Sequence, residues 1–175
     1  MDIVKEFAGN QTLLLLMPGE DYNHIIVDNM KKISKKSVCY VTLNKTNDAL
    51  KELFKKAKIK MDNVVFIDAI SKTIKNVPDQ GEGVYYVSNP GAMTELSLTI
   101  DKFLRHGFDY LVFDSLTNLL VYESKAPVSK FVSSLVNKVK TSKTKAVFYA
   151  LSLKDQSTMI QESGMFVDKV LDLDK

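Results

Sequence analysis

The residues able to do chemistry in this chain sit where apolar runs end. The run Thr12–Met17 leads into Pro18-Gly19-Glu20-Asp21-Tyr22-Asn23-His24 and then a helical stretch. That junction is where a phosphate-binding loop would lie. Such a loop needs glycines that let backbone N–H groups face the phosphates, a lysine for the outer phosphates, and a Ser or Thr hydroxyl for magnesium. Gly19 is the one glycine here, and Glu20 and Asp21 add two negative charges where a polyphosphate would rest. Like charges in a half-buried site repel by several kcal/mol at an effective dielectric of about 20. The run Tyr110–Phe113 ends in Asp114-Ser115. An aspartate after a buried strand can hold a magnesium shell, or it can cap the next turn; the pattern alone favours the cap. Val38–Leu43 ends at Asn44-Lys45, with no carboxylate to orient a water, and Ala146–Leu151 ends at Ser152, which offers a hydroxyl.

Other reactive groups are sparse. His24 and His106 fall at helix ends and have no cysteine partners, which argues against zinc. Ser115, Ser152 and Asp114 lack a Gly-x-Ser-x-Gly elbow and a placed base, so a hydrolase triad is disfavoured. Cys39 lies in an apolar run and reads as a buried strand thiol. Tyr22, Tyr85 and Tyr86 could form an aromatic contact surface, although packing within the fold is favoured. The Lys31–Lys36 run reads as a helix C-terminus complementing its macrodipole. Apart from it and the helix end near Lys138 and Lys140, no concentrated basic stripe is expected.

The elements that must position these residues alternate between strand and helix. Short apolar runs at 12–17, 38–43, 64–67, 110–113 and 146–151 predict buried strands. Helical spacing lies between them: Ile25, Ile26, Met30 and Ile33; Leu50, Leu53 and Phe54 behind a cap at Thr46 or Asn47; Leu96, Ile100, Phe103 and Leu104; and the stripe Val128, Phe131, Val132, Leu135, Val136 and Val139. Gly107 can close the third helix. Val84–Val87 is a short edge element or the lead-in to the next helix, 155–163 a short helix, and Val167–Leu173 a half-exposed last strand. Residues 71–83, with Pro78, Gly81 and Gly83, predict the variable or mobile loop. This order implies a single α/β domain over 1–175, a three-layer αβα sandwich on a mainly parallel sheet.

Composition sets the outer bounds. The 175 residues are 45% hydrophobic and 26% charged, which suits a packed domain and excludes a disordered chain. The net charge of +3 argues only weakly for an anionic partner. One cysteine excludes an internal disulfide. No apolar run approaches a membrane span and the N-terminus lacks a basic start, so a cytoplasmic location is the expectation.

The order of motifs resembles RecA-superfamily ATPases of the KaiC type. Phe108-Asp109-Tyr110-Leu111-Val112-Phe113-Asp114-Ser115-Leu116-Thr117-Asn118-Leu119 looks like their Walker B strand. Thr94–Ile100 resembles the helix before it, Phe131–Leu135 and Ala146–Ala150 the next helix and strand, and Val167–Leu173 the closing strand. The resemblance implies a P-loop NTPase fold and a prokaryotic source. It also marks departures. The family's Gly-Lys-Thr/Ser falls on Asp21-Tyr22-Asn23, and its catalytic glutamate falls near Asn44-Lys45. Asp114 and Ser115 are then a Walker B-like remnant, while Gly19, Tyr22 and Asn23 form a degenerate loop that does not bind. The expectation is a non-catalytic regulatory or interaction module with no cofactor and no metal, whose partner is another protein or itself rather than nucleic acid or membrane. The alternative is a divergent nucleotide-binding protein or weak ATPase with ATP and magnesium in an altered pose.

Overall fold

The computed structural model describes all 175 residues. Eight strands form one sheet: β1 (Thr12–Met17), β2 (Val38–Thr42), β3 (Val64–Asp68), β4 (Gln80–Gly81), β5 (Val84–Tyr86), β6 (Tyr110–Asp114), β7 (Lys145–Leu151) and β8 (Lys169–Asp172). Their spatial order is β4-β5-β3-β2-β6-β7-β1-β8, and every neighbouring pair is parallel except β4 with β5. Parallel neighbours need crossovers, and helices supply them on both faces.

The period-2 alternation of strand side chains splits the core in two. On one face Leu13, Leu15, Tyr40, Phe66 and Val112 pack against α1 (Ile3–Gly9), α2 (Tyr22–Ile33) and α3 (Asn47–Lys56). On the other, Leu14, Val41, Phe113 and Phe148 pack against α5 (Met93–His106), α6 (Leu116–Tyr122), α7 (Lys125–Lys140) and α8 (Ser157–Gly164). Leu14 and its neighbours are fully buried. Truncating such a residue to alanine costs about 2–5 kcal/mol because the cavity collapses only partly.

Local signals place the helix ends. The Thr46 hydroxyl accepts from the Ala49 N–H at 3.1 Å to start α3. Gly107, at φ +80°, ends α5 in the left-handed region that glycine tolerates. The stripe from Val128 to Val139 is the buried face of α7, as its periodicity predicts. Residues 71–83 are not uniformly loop: α4 (Ser71–Ile74) is one helical turn, and β4 turns back on β5. The helices α1 and α6 had no clear periodic signal, being only seven residues each. No helix is long and apolar enough to cross a membrane.

Candidate functional site at the carboxyl ends of the strands

In an open parallel sheet, ligands bind beyond the carboxyl ends of the strands. The sheet order places β7 between β1 and β6, so the β1–α2 junction and Asp114 lie one strand apart. Asp114 points to the face that α2 covers and is fully buried. Tyr22, the first residue of α2, reaches across β7, and its hydroxyl donates to Asp114 Oδ2. The Tyr40 hydroxyl, from β2, donates to the same oxygen at 2.6 Å. Asp114 Oδ1 has no hydrogen-bond partner. Burial raises the Asp114 pKa; the two tyrosine hydrogen bonds and the charge of Lys45 pull it down without cancelling that effect, and it stands at about 6 against an ordinary 3.8. Burial and the Asp114 charge push the Tyr22 phenol far above its ordinary value, so it remains a donor. The Lys45 ammonium sits 5.8 Å from the Tyr22 ring centroid. Below this group, the Asn29 amide donates to the Tyr149 hydroxyl at 3.1 Å, continuing the polar cluster into the core.

The β1–α2 connection is short. Pro18 has no N–H, Gly19–Asp21 forms one 3-10 turn, and the Asp21 N–H is spent on the Pro18 carbonyl at 3.2 Å. A Cβ on Gly19 would meet nothing within 4 Å, so no close approach requires glycine there. Asn23 and His24 are exposed. Of the five residues singled out from sequence, the fold brings Tyr22 and Asp114 into contact and leaves Gly19 and Asn23 outside that contact. Ser115 takes the capping role: its hydroxyl accepts from the Asn118 N–H at 3.3 Å at the start of α6 and donates to Asn118 Oδ1 at 2.6 Å.

One buried acid escaped the reading of the strand ends. Asp68 closes β3 and is fully buried. Its carboxylate accepts from the Asn47 N–H and side-chain amide, the Ile70 and Ser71 N–H groups and the Ser71 hydroxyl, all at 2.6–2.8 Å. Burial raises its pKa, but the Ser71 and Asn47 hydrogen bonds outweigh that and hold it below the ordinary value. The signal was present, since Asp68 follows the apolar Val64–Ile67 as Asp114 follows Tyr110–Phe113.

The mostly parallel sheet and the helices on both its faces define a three-layer αβα sandwich. No family model matches the chain, and no curated protein does. Among solved structures it is similar to a KaiC-like protein from the hyperthermophilic archaeon Pyrococcus horikoshii OT3, at TM-score 0.61 and 12% identity, over 94% of this chain and 71% of that one. At that identity the likeness shows the fold alone, and the chemistry must come from this chain's own residues.

Proposed function

We propose that this chain is a non-catalytic RecA/KaiC-like module, a pseudo-ATPase that acts through protein contacts. The observation that carries the reading is the Tyr22–Asp114 hydrogen bond. An ATPase of this fold needs a cation at the start of α2 and a strand-end carboxylate open to a magnesium shell. Here a phenol stands at the first position, and the carboxylate is fully buried beneath it. Magnesium and ATP do not fit these residues. Asp114 has spent one oxygen on two tyrosines, and the β1–α2 turn places the acids Glu20 and Asp21 where a polyphosphate would rest.

The interaction half of the reading draws on the surface. Leu98 on α5 and Val121 and Tyr122 on α6 remain exposed, Val121 at 72%. Apolar residues left in solvent are the raw material of a protein contact. A partner or a regulated pathway fits this arrangement better than turnover does.

The test is a calorimetric titration with ATP and magnesium on the wild type and on Asp114→Asn. The expected result is no nucleotide binding that depends on Asp114 and no hydrolysis. Saturable binding lost in Asp114→Asn, with phosphate release above background, would overturn the reading. For the contact, sedimentation of the wild type against Val121→Glu checks self-association; a heteromeric partner is expected to lose affinity for the same variant.

A further inference from the structure

The opposite edge of the sheet gathers positive charge. Helices α2 and α3 both end there, and each end is lysine-rich: four lysines lie within 31–36 and four more within 55–62. The runs are remote in sequence, but β2 and β3 are neighbours in the sheet, so the crossovers set the two helix ends side by side. Lys31, Lys35, Lys58 and Lys60 line one concavity of about 310 Å³, with Asp62 as its single acid. The two segments hold eight of the chain's 24 lysines and arginines and one of its 21 acids, leaving the rest of the molecule net negative. Of the eight, Lys32 alone has a carboxylate partner, Asp28 at 2.6 Å.

The bland account is that lysines complement helix C-termini. A macrodipole supplies about half a negative charge per helix end. Two ends, Asp62 and the Asp28 partner of Lys32 therefore offset about three of eight positive charges, and about five remain in excess. Lys58 adds a second observation. It is the one non-glycine residue at positive φ, +59°, where it closes α3 with its N–H on the Lys55 carbonyl and the next N–H, of Ile59, on the Phe54 carbonyl. That closure favours glycine. A lysine held there raises the energy of the fold, and it lines the basin.

We propose that this lysine basin binds a small anion carrying two or more closely spaced phosphate groups. The lining supplies ammonium groups, compact point charges suited to phosphate oxygens, and no guanidinium fork for a carboxylate; Arg105 is the chain's sole arginine and lies elsewhere. No aromatic side chain lines the basin to stack a base, and Ile59, its one apolar liner, is 8% exposed. The volume is that of a small-molecule site.

The experiment titrates the full chain with tripolyphosphate at low salt, by calorimetry, with orthophosphate and a short DNA duplex as comparison probes. Saturable binding of tripolyphosphate is expected, about tenfold or more tighter than orthophosphate and weakening steeply with salt. Lys35→Gln with Lys58→Gln should lose about tenfold, while Lys102→Gln with Lys125→Gln, which removes the same charge elsewhere, should lose little. Lys58→Gly separates a ligand role from a structural one: affinity should fall while the melting temperature rises. No saturable binding, equal loss in the control pair, or a duplex that binds more tightly than tripolyphosphate would overturn the proposal. ATP also carries linked phosphates, so its binding is assigned by variant. A signal that survives Asp114→Asn and is lost with the lysine pair supports the basin and leaves the closed-site reading intact.

Discussion

Asp68 and Asp114 close β3 and β6, on either side of β2, and Thr42 of β2 is paired in register with both. Both carboxylates are fully buried, yet their environments drive them in opposite directions. Asp68 receives five short hydrogen bonds, three of them from backbone N–H groups of the turn that follows it and of the start of α3. Asp114 receives two, both on one oxygen, from phenols on other elements. A buried carboxylate stays ionised when enough fixed donors replace its water. Asp68 meets that condition and ties β3 to the next turn. Asp114 falls short, which is why its pKa rises to about 6.

The largest expected effect comes from removing the better-held acid. Asp68→Ala should lower stability by about 3–5 kcal/mol in urea denaturation, because it strands buried donors on Asn47, Ile70 and Ser71. A loss below about 1 kcal/mol would mean the five hydrogen bonds are not what fixes this turn.

The pH dependence sharpens the contrast through its sign. In the unfolded chain Asp114 loses its proton near 3.8, whereas the folded chain holds it to about 6. Between those values the native state binds more protons, so Asp114 makes stability fall as pH rises from about 4 to 6 and stay level above. The span is on the order of 2–3 kcal/mol. Asp68 has the opposite sign. Its lowered pKa contributes stability at neutral pH that is lost as pH falls below its ordinary range. Denaturation of wild type and Asp114→Asn from pH 4 to 7 isolates the first effect; parallel curves would show that Asp114 titrates normally.

Tyr22→Phe removes one of the two donors to Asp114 while keeping the ring. A loss of about 1–2 kcal/mol is expected, together with a further rise in the Asp114 pKa, readable as an upward shift of the same pH transition. A neutral substitution would leave Tyr40 as the sole effective donor and weaken the closed-site reading. The smallest effect belongs to Lys45→Met. It withdraws a cation from the Tyr22 ring and from the field at Asp114, and should cost less than about 1 kcal/mol.

Much of the sandwich was legible in the chain. The buried strands are short apolar runs because both faces of a parallel sheet are covered, and Val128–Val139 shows the helical period because one face of α7 is buried. The seven-residue α1 and α6 were not legible, since two turns give too little periodicity. Within the site, Tyr22 and Asp114 could each be singled out by position, but not their contact. Asp68 was passed over although its pattern equals that of Asp114, because local sequence does not say how many donors a strand-end acid will collect.

By itself the sequence determined the alternation of strands and helices, the acids in the β1–α2 turn, and the absence of a lysine at the start of α2. These are local properties, set by residue type and spacing. The tertiary structure decided what the crossovers bring together across the sheet. It laid the Tyr22 phenol on Asp114 from the far side of β7. It also joined the Lys31–Lys36 run, an ordinary helix end when read alone, with the lysines of 55–60, which had not stood out in the sequence, into one basin. Charge and hydrogen bonding act over a few ångströms of space, and only the order of the strands converts chain distance into that.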